Sequence, residues 1–154
     1  MTERVASGGF DPVAAGWSRQ EARTFLGSIA TVWQRDIDGR PSLGIVCEPR
    51  HDNGWGKMHG GILMTLADVG LGAVVRRLRN SDSPQGGPLI HNPTVQLDVH
   101  FIDAVEIGDF VHSRAEALRL TRSMTFMRGT LQVGGKVVAS AQGVFKVLGP
   151  ARVA

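Results

Sequence analysis

The stretch Gly60-Gly-Ile-Leu-Met-Thr-Leu-Ala-Asp-Val-Gly-Leu-Gly-Ala-Val-Val-Arg-Arg77 decides how the rest of the chain must fold. Between Ile62 and Val75 only Thr65 and Asp68 are polar. A helix that is apolar nearly all round belongs inside a protein, not on its surface. Gly70 and Gly72 lower its helix propensity but let a neighbouring backbone come close. Arg76, Arg77, Arg79 and Asn80 mark the C-terminal end, where cations meet the negative end of the helix dipole.

Such a helix needs a wrapping, and the flanking sequence supplies strands. Thr94–Ile102, Phe110–Leu120, Met124–Val133 and Val137–Leu148 are rich in Val, Phe, Leu and Thr. Gly108-Asp109 and Gly134-Gly135 punctuate them, the second as a hairpin turn. Upstream, Ile29–Asp36 and Ser42–Glu48 read as two more strands, joined through the hairpin pair Asp38-Gly39. Ser18 followed by Glu21 has the capping-box spacing and predicts a short helix from Ser18 to Leu26. Residues 1–16 hold Gly8, Gly9, Pro12 and Gly16 and are expected to form a flexible arm. The expected fold is α+β: one domain over 17–149, an antiparallel sheet of five to six strands wrapped around one long central helix.

Composition agrees with one globular domain. The 154 residues include 42% hydrophobic and 20% charged, near the soluble average, and the formal charge is only +3. No apolar run reaches the ~20 residues that span a bilayer, so no membrane role is expected. The first residues lack a basic-then-apolar export signal, which points to the cytoplasm. A single cysteine, Cys47, forbids an internal disulfide or a Cys-rich zinc site. Aromatics at 6% are too sparse for stacking platforms on nucleic acid.

Two features of the central helix carry chemistry. A carboxylate on an apolar helix costs several kcal/mol unless it is paired or opens on a pocket, so Asp68 reads as a base or nucleophile. His59-Gly60-Gly61 opens the helix with backbone N–H groups that no side chain obstructs, a natural oxyanion-binding site. His59 itself suits either a base or a loop-fixing hydrogen bond. Asn53 lies six residues before His59 in a Gly-rich loop, where a turn role is the ordinary one. A metal site from His51, Asp52, His59 and Asp68 lacks compact ligand spacing, and no Gly-x-Ser-x-Gly elbow is present.

Taken together, Asn53-Gly-Trp-Gly-Lys-Met-His59-Gly60-Gly61-Ile-Leu-Met-Thr-Leu-Ala-Asp68 resembles the signature of hotdog-fold acyl-CoA thioesterases of the phenylacetate-pathway type, within the 4-hydroxybenzoyl-CoA thioesterase superfamily. The likeness continues through Phe101-Ile-Asp-Ala-Val-Glu-Ile-Gly-Asp109 and Val137-Val-Ala-Ser-Ala-Gln-Gly143, and it covers about Gly27 to Leu148. His91-Asn92-Pro93 departs from the family pattern. The resemblance implies hydrolysis of an acyl- or aryl-CoA thioester, with Asp68 as nucleophile or general base. Gly60 then matches the backbone donor to the thioester carbonyl. Asn53 matches the residue that assists there or holds the loop, and Thr94 the hydroxyl that orients water. Gly61, Arg122 and Ser123 are implied contacts to coenzyme A, with Arg76–Arg79 as the competing cations; coenzyme A is part of the substrate, and no cofactor or metal is implied. Trp55, Met64, Leu71 and Val75 are candidates to line the acyl pocket. Hydration of enoyl thioesters on the same fold needs an Asp five residues before the His, where this chain has Gly54. The alternative that remains is a non-catalytic acyl-CoA binding or sensing domain.

Helix geometry adds one expectation. Gly60 and Asp68 are eight residues apart, so about 12 Å separates their backbones along the axis. One carbonyl cannot touch both within a chain. The site is therefore expected to be shared between two copies, in a homodimer or, as the resemblance implies, a homotetramer.

Overall fold

Seven of the 21 residues of the central helix turn inward at helical spacing: Leu63, Leu66, Ala67, Gly70, Leu71, Val74 and Val75 are buried. This helix, α2, runs over Gly60–Asn80 in a computed structural model that describes residues 9–83 and 87–149. The other elements are β1 (Ser18–Gln20), α1 (Phe25–Ile29), β2 (Val32–Ile37), β3 (Arg40–Val46), β4 (Thr94–Phe101), β5 (Phe110–Leu120), β6 (Met124–Val133) and β7 (Lys136–Lys146). All seven strands form one sheet in the order β1-β2-β3-β5-β6-β7-β4, and every pairing is antiparallel.

The sheet's period-2 alternation places its inner face on α2. Val111, Ser113 and Ala115 on β5, Met127 and Leu131 on β6, and Ala139, Ala141 and Phe145 on β7 are buried. Between them, His112, Arg114, Arg128, Ser140 and Gln142 turn to the other face and are polar, and Arg128 pairs there with Glu116 at 2.6 Å. The closest approach is at Gly70, where a Cβ would fall 2.5 Å from the Ser113 side chain. Glycine there is what lets the helix settle onto β5. The β2–β3 turn is the expected one: Asp38 and Gly39 both hold positive φ, 53° and 72°, which matches the twist of a two-residue hairpin.

The expected architecture of an antiparallel sheet around one long helix holds, with two corrections. The sheet has seven strands rather than five or six. The extra strand is Ser18–Gln20, which pairs with β2 instead of starting a helix; the helix begins only at Phe25. Trp17 explains the difference, because its buried ring packs edge-on against Phe110 at 4.8 Å and lays the next residues along the sheet edge. Tertiary contact outweighs a local capping signal there. Of the N-terminal arm, residues 1–8 lie outside the described residues. Phe10 stacks on Phe110 with centroids 4.6 Å apart.

The two sheet edges differ. β1 is short and polar, whereas β4 is eight residues long and leaves Val95, Phe101 and the following Ile102 more than half exposed. No helix among the described residues is long and apolar enough to cross a membrane.

Candidate active site

The loop from β3 to α2 is held by hydrogen bonds before it reaches the helix. Buried His51 accepts the Glu48 N–H at Nδ1 (3.0 Å), and its Nε2 lies 2.7 Å from the Ile29 carbonyl, to which it donates. Asp52 Oδ1 accepts from the N–H groups of Gly54 and Gly56 at 2.9 and 2.8 Å. Asn53 Oδ1 accepts from Trp55 N–H at 2.9 Å, and its own N–H donates to the Lys57 carbonyl. The Met58 N–H then donates to the Val105 carbonyl, and Lys57 pairs with Glu106. Asn53 thus holds the loop, and Trp55 stands at its tip, 84% exposed.

At the helix start, three consecutive N–H groups have three different fates. That of His59 donates to the His51 carbonyl (2.8 Å), and that of Gly61 donates to His59 Nδ1 (2.9 Å). The Gly60 N–H between them has no acceptor among the described residues, at the positive end of a 21-residue helix. His59 is a helix cap, with Nδ1 as the acceptor. Glycine at position 61 leaves room for that cap, since a Cβ would sit 3.1 Å from the ring nitrogen and press it aside by a few tenths of an ångström.

Two turns further on, half-buried Asp68 meets β4. Thr94 Oγ1 donates to Asp68 Oδ1 at 2.7 Å, and Asp68 Oδ2 has no hydrogen bond among the described residues. No cation pairs with this carboxylate among those residues. One oxygen is fixed and the other is open, which suits attack on a carbon or acceptance of a proton.

Arg122 and Ser123 form the β5–β6 turn. The Ser123 carbonyl accepts the Val147 N–H, and exposed Arg122 makes no salt bridge among the described residues. Thr94 pairs with Phe145, Phe145 with Thr125, and Thr125 with Leu120. This row puts the Arg122 turn at the same end of the sheet as Thr94, about 10 Å away across two strand spacings.

The arginines at the helix end do not form one patch. Arg77 grips Asp36 with both guanidinium nitrogens, at 2.8 and 2.9 Å, and holds that carboxyl below its ordinary value. Arg79 bonds Thr125 Oγ1 and the carbonyls of Thr121 and Met124, so it anchors the turn that carries Arg122. Arg76 is exposed. Of the acyl-pocket candidates, Leu71 and Val75 are buried in the core against the sheet, while Met64 and Trp55 are exposed. Sequence reasoning missed the positions of His51 and Arg79, whose signals were one rejected metal candidate and one member of a charge run.

Cys47 is buried, and loss of water, followed by the charge of Asp109, pushes its thiol up to about 11. It is no nucleophile at neutral pH. Among the described residues, no group of three or more His, Cys, Asp or Glu is placed to hold a metal ion.

A family model described as the thioesterase superfamily matches residues 56–139, a span that holds Gly60, Asp68 and Thr94. The chain belongs to that superfamily. A Pseudomonas aeruginosa protein named "Putative esterase PA0474" is 38% identical over 112 residues, covering 73% of this chain and 78% of that protein. The BH2602 protein of Bacillus halodurans, whose crystal structure was solved with CoA, superposes with a TM-score of 0.68 at 26% identity, over 82% of this chain and 78% of that one. A single-residue mutant of the phenylacetic acid degradation protein PaaI from Thermus thermophilus superposes with a TM-score of 0.66 at 21% identity, over 80% of this chain and 98% of that one. The last likeness is one of fold. It places this thioesterase-superfamily chain in the expected hotdog architecture, and membership makes it a thioester hydrolase.

Proposed function

We propose that the substrate is an acyl- or aryl-coenzyme A thioester, cleaved to free acid and coenzyme A at sites shared by two copies of the chain. The Asp68–Thr94 bond carries this reading, because it presents a carboxylate with one oxygen held and one free. In the proposed complex the thioester oxygen accepts the Gly60 N–H. Asp68 of the other copy either attacks the carbonyl carbon or takes a proton from water as that water attacks. Thr94 fixes the carboxylate and orients the water. Negative charge that develops on the carbonyl oxygen is met by the N–H and the helix dipole, and these act most strongly in the transition state. The C–S bond then breaks, and the coenzyme A thiolate leaves and takes a proton. The nucleophilic route needs one further water to open the acyl–Asp68 anhydride. No metal or separate cofactor enters either route.

The open edge of β4 supports the shared site. A Cβ on Gly60 would lie 3.3 Å from the Phe101 ring at one end of β4, while Asp68 bonds Thr94 at the other end. Antiparallel pairing of β4 with a second β4 sets Phe101 opposite the partner's Thr94. Gly60 of one copy then approaches Asp68 of the other, twice per pair. The same pairing covers Val95, Phe101 and Ile102 and closes a sheet edge that otherwise invites association. Two such pairs make the tetramer. Arg122, Ser123 and Gly61 lie on the coenzyme A side, and Asn53 keeps the loop in shape. Buried, unpaired Cys47 supports a reducing, cytoplasmic setting.

The test is release of free thiol from a panel of aryl- and straight-chain acyl-CoAs. Turnover of at least one class is expected. Tight binding across the panel without thiol release would replace this reading with the acyl-CoA sensing one.

A further inference from the structure

His51 is 2% exposed and takes no part in the reaction described above, yet its bonds join the segments that meet at the start of α2. Its ring joins the exit of β3, through Glu48 N–H on Nδ1, to the end of α1, through the Ile29 carbonyl on Nε2. Its own N–H donates to the Glu48 carbonyl at 2.9 Å. Its carbonyl, held by these bonds, accepts the His59 N–H at 2.8 Å. The His59 ring in turn accepts the Gly61 N–H. A relay of two histidines therefore consumes the donors on either side of Gly60 and leaves one N–H, with a set direction, for a ligand oxygen.

We infer that His51 is a positioning residue: it selects and aims the Gly60 N–H by fixing the His59 cap from inside the protein. The inference rests on the reading that this N–H receives the thioester oxygen. The ring does this with Nδ1 accepting from the Glu48 N–H and Nε2–H donating to the Ile29 carbonyl. A side chain of similar bulk with no such pair fills the space but leaves the Glu48 N–H and the Ile29 carbonyl unpaired and the turn free to shift.

The experiment compares wild type, His51→Leu and His51→Asn. The Asn side-chain oxygen stands close to where Nδ1 stands and keeps the Glu48 contact. His51→Leu is expected to lower kcat per folded chain by about 10- to 100-fold with KM within about threefold, because a misaimed donor is felt mainly in the transition state. His51→Asn should recover a substantial part of that loss. Amide exchange supplies a readout free of activity. The His59 and Gly61 amides should exchange at least about tenfold faster in His51→Leu, while those of Val111 and Ala139 stay protected. Unchanged kcat and unchanged His59 exchange in folded His51→Leu would overturn the inference. Exchange that rises uniformly through β5 and β7 would also overturn it, since that marks a purely structural role. If His51→Leu does not fold, His51→Gln, whose longer amide loses the place of Nδ1 and with it the Glu48 contact, decides by the same two readouts. A wild type that hydrolyses no thioester defeats the proposed function alone, and the amide pattern then still decides whether His51 aims Gly60.

Discussion

Thr94 Oγ1 and Asp68 Oδ1, 26 residues apart in sequence, lie 2.7 Å apart and tie the first residue of edge strand β4 to the middle of α2. The bond uses the hydroxyl proton, so Asp68 Oδ1 is the acceptor and Oδ2 is left for other work. Asp68→Ala is expected to lower kcat by about 10²-fold or more while the fold survives, because the loss removes the attacking or proton-accepting group. Thr94→Val keeps the shape and loses the bond, and should cost about tenfold. Thiol release checks both, and near-normal turnover of Asp68→Ala would remove that residue from the mechanism.

The shared site predicts recovery on mixing. Asp68→Ala chains and Gly60→Pro, Asn53→Ala chains should each be inactive. Mixed pairs should regain one intact site of two, up to about half of the wild-type activity per pair. Activity after subunit exchange, followed by native mass spectrometry, is the measurement. Proven exchange with no recovery would mean that both groups act within one chain.

Arg122 tests where the phosphates of coenzyme A sit. Arg122→Ala should raise KM severalfold and lower kcat less, with the difference shrinking as salt is added, since an exposed charge is screened. An unchanged KM at low salt would turn attention to Arg76, because Arg77 and Arg79 are already committed to Asp36 and the β5–β6 turn.

Gly70→Ala tests the seating of the helix. The new methyl meets the Ser113 side chain at 2.5 Å, and Ser113 cannot move freely because its Oγ accepts the Leu43 N–H. Overpacking of this kind costs roughly 1–3 kcal/mol, read as a lower denaturant midpoint. Gly70→Ala combined with Ser113→Ala should recover part of the loss.

His112 gives stability a pH dependence. It is half-buried on β5 beside the packed rings of Trp17 and Phe110, and loss of water lowers its pKa below the ordinary 6.5. A hydrogen bond to the Ser113 backbone opposes this, and the charges of Arg114 and Arg35 reinforce it. The unfolded chain therefore binds a proton that the folded chain resists. The stabilisation is complete above pH 6.5 and is lost as pH falls below it toward the folded value. Urea midpoints at about pH 7.5 and about pH 5.5, on either side of the ordinary histidine value, should differ more for wild type than for His112→Gln. An equal difference would discard the effect.

How much of this was legible in the chain depends on how local each cause is. A carboxylate in an apolar helix announces itself, because burying charge is costly wherever the helix lies, so Asp68 stood out from sequence. The four C-terminal strands carry their own periodicity and turns. Ser18–Gln20 does not, since its strand follows from Trp17 packing on Phe110 of β5, 93 residues away in sequence and three strands along in the sheet order. Arg76, Arg77 and Arg79 look like one basic cluster in sequence. Helical rotation of about 100° per residue instead sends them to separate neighbours. His51 gave least away: its ring partners are Glu48, three residues back, and Ile29, 22 residues back. No sequence pattern shows that these meet around one imidazole.

The strand order also fixes a schedule. β4 leaves the ribosome before β5, β6 and β7, yet among the described residues its neighbour within the sheet is β7, the last of the strands made. With synthesis at roughly 5–20 residues per second, β4 waits for seconds as an unpaired apolar segment while β5 and β6 emerge. Thr94 reaches its seat beside Asp68 only when β7 arrives. The nascent chain therefore completes its chemical centre last, and a chain cut short at the Gly134-Gly135 turn would keep the helix and its carboxylate but lose the strand that holds Thr94 against them.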